Sequence, residues 1–321
     1  MRIGIIGQPC IDEIIHVTHP SAVPEQALGG VLYSYAAMER LMREGGSAND
    51  SFVPLTWLSN PDRSFLESLL DKFRHLEHST GLWPTAFQTN RVQLVYRENG
   101  ERTEHCPHIL PALNLDELSV DVMDSLDGLF VNMISGYDVS IDTLETALNR
   151  TAKRPYVHID IHALVLGHLS EQDDNASFGG GREPLGVKEW KRWLAIADSA
   201  QLNELEVRWF ADPDVQSEAE LLRYILLSNQ FPKLRYLILT RAERGATLFD
   251  FESEMVFNAT PPAVEAIETT GSGDVFGSAF VFSVLSGKRP EEALQNAVEW
   301  ASWNTTLKNI GQILEAPLFI S

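Results

Sequence analysis

Apolar runs rich in β-branched residues alternate with longer amphipathic segments along most of this chain, and that alternation restricts the fold more than any other feature. The runs at 2–7, 54–58, 128–133, 156–161, 199–203, 236–240 and 246–251 read as strands. Segments 31–43, 64–75, 141–151, 187–197, 218–228, 274–286 and 291–307 read as helices. Parallel strands need a crossover long enough to hold a helix, so this order predicts an α/β fold with a mostly parallel sheet and helices on both faces. With 321 residues, 44% of them hydrophobic, the chain can bury a core of that size, and no composition break divides it into two domains.

Two stretches break the rhythm. Residues 11–28 mix short polar and apolar pieces with Pro20 and Pro24. Residues 85–106 read as two strands, 91–96 and 103–106, joined by Glu98-Asn99-Gly100-Glu101, and Asn-Gly between such runs is a strong hairpin signal. Either these pieces form a small sheet standing off the main one, or they are an edge hairpin with no part in function. Residues 173–186 are the loosest, with Gly179-Gly180-Gly181. A glycine triplet can cradle a phosphate, but the Lys-Ser/Thr of a P-loop does not follow, so a surface loop is expected there.

The formal charge of −20 disfavours nucleic acid and anionic lipid as partners and points to a small molecule. An anionic substrate would need local relief from a cation and from aimed backbone amides. Cys10 and Cys106 are too few to staple a chain of this length, which fits a reducing compartment. The N-terminal apolar run is too short for a signal peptide, and no stretch approaches the roughly 18 apolar residues of a membrane span. A soluble, cytoplasmic protein is expected.

The chemistry concentrates in Glu268-Thr269-Thr270-Gly271-Ser272-Gly273-Asp274-Val275-Phe276-Gly277. The small and apolar run that follows predicts a buried helix, with Thr-Gly-Ser-Gly-Asp at its start. Two glycines allow a tight turn and close approach to a ligand, and the free N–H groups of the first turn form an anion site. Asp274 is then either an N-terminal helix residue stabilised by the dipole, or a base taking a proton from a hydroxyl that attacks a bound phosphoryl group. His158, Asp160 and His162 alternate along a strand and so share one face, a spacing compatible with a transition metal.

This segment resembles the C-terminal signature of the PfkB (ribokinase-like) carbohydrate kinases, Asp-Thr-x-Gly-Ala-Gly-Asp, matching at Thr269, Gly271, Gly273 and Asp274, with Ser272 for the alanine and Glu268 for the first aspartate. The resemblance implies a three-layer α/β/α sandwich with a small β lid formed by about 11–28 and 85–106. It makes Asp274 the base and Gly271, Ser272 and Gly273 the anion hole, with Glu268 near a monovalent cation or the Mg²⁺ shell. Asp12, after the first strand, falls where such enzymes bind a pair of sugar hydroxyls, and two carboxylate oxygens suit a vicinal diol. Gly29-Gly30-Val31-Leu32-Tyr33-Ser34 resembles the substrate motif Gly-Gly-x-x-x-Asn, with Ser34 for the asparagine.

Asn203 and Glu206 match an Asn-x-x-Glu element whose oxygens suit Mg²⁺, commonly through water. Thr240 and Gly245 match the nucleotide loop Thr-x-Gly-x-x-Gly, with Ala242 for the middle glycine. Asn304, on the helix near 301–311, is the adenine-side candidate. The resemblance also sets Asp160 at the end of a central strand facing the phosphate region. It thus implies an ATP- and Mg²⁺-dependent sugar kinase, possible as a homodimer, with direct in-line transfer. A nucleoside kinase of the same fold and a catalytically silent sugar or nucleotide sensor are the alternatives.

Overall fold

The structure is a computed structural model that describes residues 1–16, 25–96, 102–165, 180–181, 189–211, 215 and 217–318. The chain runs β1 (Arg2–Ile6), β2 (Pro9–His16), β3 (Glu25–Gly30), α1 (Leu32–Gly45), β4 (Ser51–Ser59), α2 (Arg63–Leu70), β5 (Leu82–Thr85), β6 (Asn90–Tyr96) and β7 (Arg102–His108). It continues with α3 (Val120–Asp124), β8 (Gly128–Asn132), α4 (Ile141–Asn149), β9 (Tyr156–Asp160), α5 (His162–Val165), β10 (Gly180–Gly181), α6 (Trp190–Ile196), β11 (Ser199–Asn203), α7 (Glu204–Phe210) and α8 (Glu218–Ser228). The last third holds β12 (Tyr236–Thr240), β13 (Ala246–Asp250), β14 (Met255–Ala259), α9 (Ser272–Leu285), α10 (Pro290–Thr305) and α11 (Ile310–Glu315).

Among the described residues, nine strands form one sheet in the order β14-β13-β12-β11-β9-β8-β1-β4-β5. All its pairs are parallel except those on either side of β13. Its central strands are apolar on both faces, as a sheet covered on both sides requires. In β1, Ile3 and Ile5 face α1, α2 and α9–α11, while Ile6 faces α3, α4 and α6–α8. In β12, Tyr236 and Ile238 divide from Leu237 and Leu239 in the same way. The chain leaves β1 for β4 and β5 on one side and returns to β8 on the other. The carboxyl ends of β1 and β8 therefore part at a topological switch point, where open α/β sheets bind their ligands.

The stretches that break the rhythm form a second sheet, in the order β10-β7-β6-β2-β3. Since β6 lies between β2 and β7, the edge-hairpin reading does not hold. The boundary of the second stretch also shifts: Thr85 closes β5 of the large sheet, and the small sheet begins at Asn90. The connections at 17–24 and 97–101, including the Asn99-Gly100 turn, lie outside the described residues. Within the expected loop, Gly180–Gly181 pairs with Cys106 and His105, whereas Gly179 and the rest of 173–186 except these two lie outside the described residues. The predicted helix 64–75 ends at Leu70, because the next turn carries the chain back to bridge Leu76 with Phe52. Of the predicted helix 187–197, the structure gives Trp190–Ile196, with 187–188 outside the described residues.

Helix α9 is buried on every side from Val275 to Ser283. It lies against the sheet, with the Phe280 ring 5.6 Å from His158 and 6.0 Å from Tyr236. A methyl group on Gly277 would fall 2.5 Å from Phe130 Cζ and 3.0 Å from Gln201 Oε1. The bare backbone at Gly277 thus sets how closely α9 approaches the strands. Gly277→Ala is expected to lose stability in urea even though alanine is the better helix former by about 1 kcal/mol, since overpacking a rigid ring costs about 1–3 kcal/mol. Gly45→Ala, whose methyl meets nothing nearer than 3.7 Å, is the control and should not lose stability. Equal behaviour of the two variants would contradict this packing account.

Candidate active site

At the switch point the end of β1 is pressed so closely on β8 that a methyl on Gly7 would lie 2.1 Å from the Asn132 carbonyl. Asn132 ends β8 and is buried. Its Nδ2 donates to Ser34 Oγ at 2.7 Å and to Asp274 Oδ1 at 2.5 Å. One amide thereby joins the first turn of α1 to the first turn of α9. Sequence reasoning missed Asn132, although it is the one polar side chain in the otherwise apolar run Gly128–Asn132, and a polar residue closing a fully buried strand is the signal that would have found it.

Ser34, which stands for the asparagine of the resembling motif, is fully buried, and its Oγ reaches the Asp274 backbone carbonyl at 3.5 Å but not the carboxylate. Asn132 makes the bond to the carboxylate. Gly271 caps α9 with φ of 78°, in the left-handed region glycine favours. A methyl there would also strike the Tyr33 ring at 2.2 Å, so conformation and space both demand glycine. Asn304 does not present its amide to open space: Nδ2 donates to the Thr270 carbonyl at 3.1 Å and to Ser272 Oγ at 3.4 Å, bracing the turn before α9. Glu268 braces the same turn from the other side, its Oε1 accepting from Thr270 N–H at 2.9 Å and Thr270 Oγ1 at 2.7 Å.

Asp12 sits on β2, where Cys10 Sγ donates to its Oδ1 at 3.1 Å. The carboxylate lies over β3, so that a methyl on Gly29 would fall 2.3 Å from Oδ2; Gly30 follows with φ of 66°. Ile11 and Glu13 alternate to the other face of β2. There they line a separate cleft of about 650 Å³ with Phe65, Arg91 and His108, which contains none of the groups just described.

A second set of oxygens gathers at the ends of β9, β11 and β12. Asn203 and Thr240 are register partners. Asn203 caps α7 through Leu205 and Glu206 N–H, both at 2.9 Å, and Glu206 returns a bond to Asn203 N–H at 2.7 Å. The alternating trio does not form a shared metal face: β9 ends at Asp160, and His162 opens α5. His162 Nδ1 lies 2.6 Å from Glu206 Oε1, whereas His158 is sealed inside against Ser199 and Gln201. In the nucleotide-loop segment, Ala242 takes a φ of 49° and Gly245 one of 87°. Ala242 thus holds a glycine-type conformation, which accounts for glycine in the pattern it resembles. Arg241 is bonded to Glu204 at 2.6 Å and to Glu218 at 2.7 Å, and Arg244 to Glu204.

Burial sets the charge states. It pushes the Asp274 carboxyl up to about 7, opposed by the Asn132 hydrogen bond and reinforced by the charge of Asp160. Burial, with the charge of Glu206 added, likewise raises Asp160 to about 6. Burial lowers His158 to about 4 and leaves it neutral. Tyr33 is raised by burial first, then by the charges of Asp12 and Asp274, which places its phenol among these carboxylates. Asp160 and Glu206 offer hard carboxylate oxygens of the kind a divalent cation such as Mg²⁺ takes, and the His162 imidazole nitrogen also lies against Glu206.

The fold and the helix-entrance site together define a ribokinase-like architecture. A pyrophosphate-dependent kinase in the ribokinase family, complexed with a pyrophosphate analog and myo-inositol, superposes with a TM-score of 0.70 at 16% identity over 99% of this chain and 100% of its own. Arabidopsis thaliana ribokinase, complexed with ribose and ATP, gives 0.68 at 14% identity over 98% and 99%. The model of the pfkB family carbohydrate kinases matches residues 167–316. A Mycoplasma pneumoniae protein named "Putative 1-phosphofructokinase" is 30% identical over 86 residues, which span 27% of this chain and 28% of that protein.

The raised Asp274 carboxyl has a consequence for folding. Unfolded, an aspartate ionises near about 3.9. Between there and about 7 the folded chain keeps a proton that the unfolded chain has released, so stability falls as pH rises through that window. Asp274→Asn should therefore melt close to the wild type near pH 4 and above it at pH 8. A melting difference that does not change with pH would mean that the buried carboxyl ionises normally.

Proposed function

We propose that this chain transfers the terminal phosphoryl group of Mg·ATP to a hydroxyl of a sugar or related polyol, with Asp274 as the general base. The observation that carries this reading is a part-buried carboxylate inside the first turn of α9, held by Asn132 beside the backbone of Gly271, Ser272 and Gly273, where the Ser272 N–H also closes the turn onto the Thr269 carbonyl at 3.2 Å. A carboxylate beside an anion site repels a resting phosphate, but it suits a hydroxyl that must lose its proton as it attacks one. A value near the working pH is what a base of this kind needs. Asp12 is suited to a pair of acceptor hydroxyls. Asp160 and Glu206, with Asn203, are the groups that would hold Mg²⁺; bound there, it would neutralise the charge of the donor phosphates. Glu268 keeps its place beside the anion turn as the candidate for a monovalent cation.

The small sheet acts as the lid in this reading, since β2 carries Asp12 directly into it. Excluding water favours transfer to the acceptor over hydrolysis. Tyr33, at 7% exposure against Gly271, and Tyr35, wholly buried, are both part of the core, which disfavours either as the stacking surface a nucleoside base would need. The structural neighbours add two arms to the test, myo-inositol as acceptor and pyrophosphate as donor.

The experiment is product release from Mg·ATP, and from pyrophosphate, against pentoses, hexoses, sugar phosphates, inositols and nucleosides. Asp274→Asn should keep the fold and lose on the order of 10²–10⁴-fold in kcat, the usual share of a general base. The wild-type kcat should rise with pH through about 7 as Asp274 loses its proton, a limb that Asp274→Asn lacks. Turnover equal in the two proteins removes Asp274 from the role. Acceptor-independent silence with intact ATP binding favours a ligand-sensing protein.

A further inference from the structure

Beneath the anion turn runs a chain of buried polar groups that the proposed chemistry does not use. Tyr156 OH donates to Ser199 Oγ at 2.7 Å, and Ser199 Oγ lies 2.7 Å from His158 Nδ1. His158 Nε2 lies 3.2 Å from Gln201 Oε1. Gln201 Nε2 donates at 2.6 Å to Asp160 Oδ2 and at 3.1 Å to the Gly273 carbonyl. Ser199 and His158 are fully buried, Gln201 is 3% exposed and Asp160 is 6% exposed.

The direction of this chain is fixed by its last member. Asp160 and the Gly273 carbonyl both accept, so the Gln201 amide must turn its nitrogen toward them and its oxygen toward His158. The neutral imidazole then carries its proton on Nε2, and Nδ1 accepts from Ser199. Every hydrogen points toward the anion turn. No member lies on the loop it supports: the strands β9 and β11 supply them all.

We propose that Gln201 is a positioning residue that aims the anion hole, with His158 fixing its orientation. The Gly273–Asp274 peptide is planar and trans, so its carbonyl and its N–H point in opposite directions. Holding the Gly273 carbonyl against the sheet fixes the rotation of the first turn of α9, and with it the direction of the Gly273 amide one peptide earlier. The second hydrogen of the same amide holds Asp160 in place beside the turn. One side chain thus registers the anion hole against the carboxylates of the neighbouring strand ends. The bare backbone of Gly277 leaves room for it, since a methyl there would fall 3.0 Å from Gln201 Oε1.

This inference rests on the α9 entrance being an anion site, so the test begins with binding rather than turnover. Titration calorimetry with inorganic phosphate and with pyrophosphate is compared for wild type, Gln201→Met, which keeps length without the amide, and His158→Phe. Gln201→Met should weaken anion binding about tenfold and lower kcat on the best acceptor by about 10–100-fold with acceptor KM unchanged, the scale expected for a misaimed anion-hole donor. His158→Phe, which leaves the amide but frees its orientation, should show the same pattern at smaller size.

Gln201→Glu supplies a readout that a purely structural role would not move. Protonated, the new carboxyl can donate one bond; ionised, it repels both Asp160 and the carbonyl. Its kcat should therefore fall again at high pH, turning the wild-type plateau into a bell. Anion affinity and the pH profile unchanged in all three variants would overturn the proposal, whatever happens to their melting temperatures. Should Gln201→Met fold poorly, anion binding by His158→Phe still decides it. A wild-type chain that binds neither phosphate nor pyrophosphate overturns the anion site itself, and this inference with it. Anion binding lost in Gln201→Met while no acceptor is turned over supports the positioning role and removes only the kinase reading.

Discussion

The close seating of α9 on the large sheet governs the rest of the site. A helix entrance offers an anion its free amides only if the turn before it is tight, and it can work on a second substrate only if that turn stands beside the strand ends. Gly277 removes the side chain that would hold the helix away from Phe130 and Gln201. Gly271 removes the one that would collide with Tyr33 and supplies the left-handed turn. Asn304 and Glu268 then brace the turn from α10 and from its own upstream segment. The proposed anion hole would be a product of packing as much as of local sequence.

That seating has an electrostatic result. Asp274, Asp160 and Glu206 are all drawn out of water within one region, and burial is the first cause of the raised values of the two aspartates. Each carboxylate of this cluster is held by an amide, Asn132 on Asp274, Gln201 on Asp160 and Asn203 on Glu206, with His162 also against Glu206. An arginine in any of these places would neutralise a carboxylate that this reading needs as a base or a cation ligand. Amides orient without discharging.

Much of this was legible in the residues. The strands at 199–203 and 236–240 and the helix at 218–228 have the bounds expected from periodicity, because each is an apolar run or an amphipathic segment with clear ends. β5 and β14 were not, since an edge strand such as Leu82–Thr85 is short and carries a proline, and Met255–Ala259 is mostly exposed. The glycine turn at 271–274 announces itself by composition. Asn132 and Gln201 do not, since each is a single amide in an apolar strand whose meaning depends on a helix more than 70 residues away along the chain. Periodicity reports which face is buried; it does not report what lies across it.

The arginines on the far side of the site tell a different story from its glycines. Arg241 and Arg244, on the loop after β12, are already committed to Glu204 and Glu218. Beside them stand Asp160 and Glu206, on a chain whose net charge is −20. A bare polyanion approaching this edge meets repulsion at long range, and only one that arrives with its own counter-cation finds a welcome. For the donor proposed above, the field would favour the form that carries its own cation. Dissolved salt, which ordinarily slows the capture of charged ligands, would here hasten it.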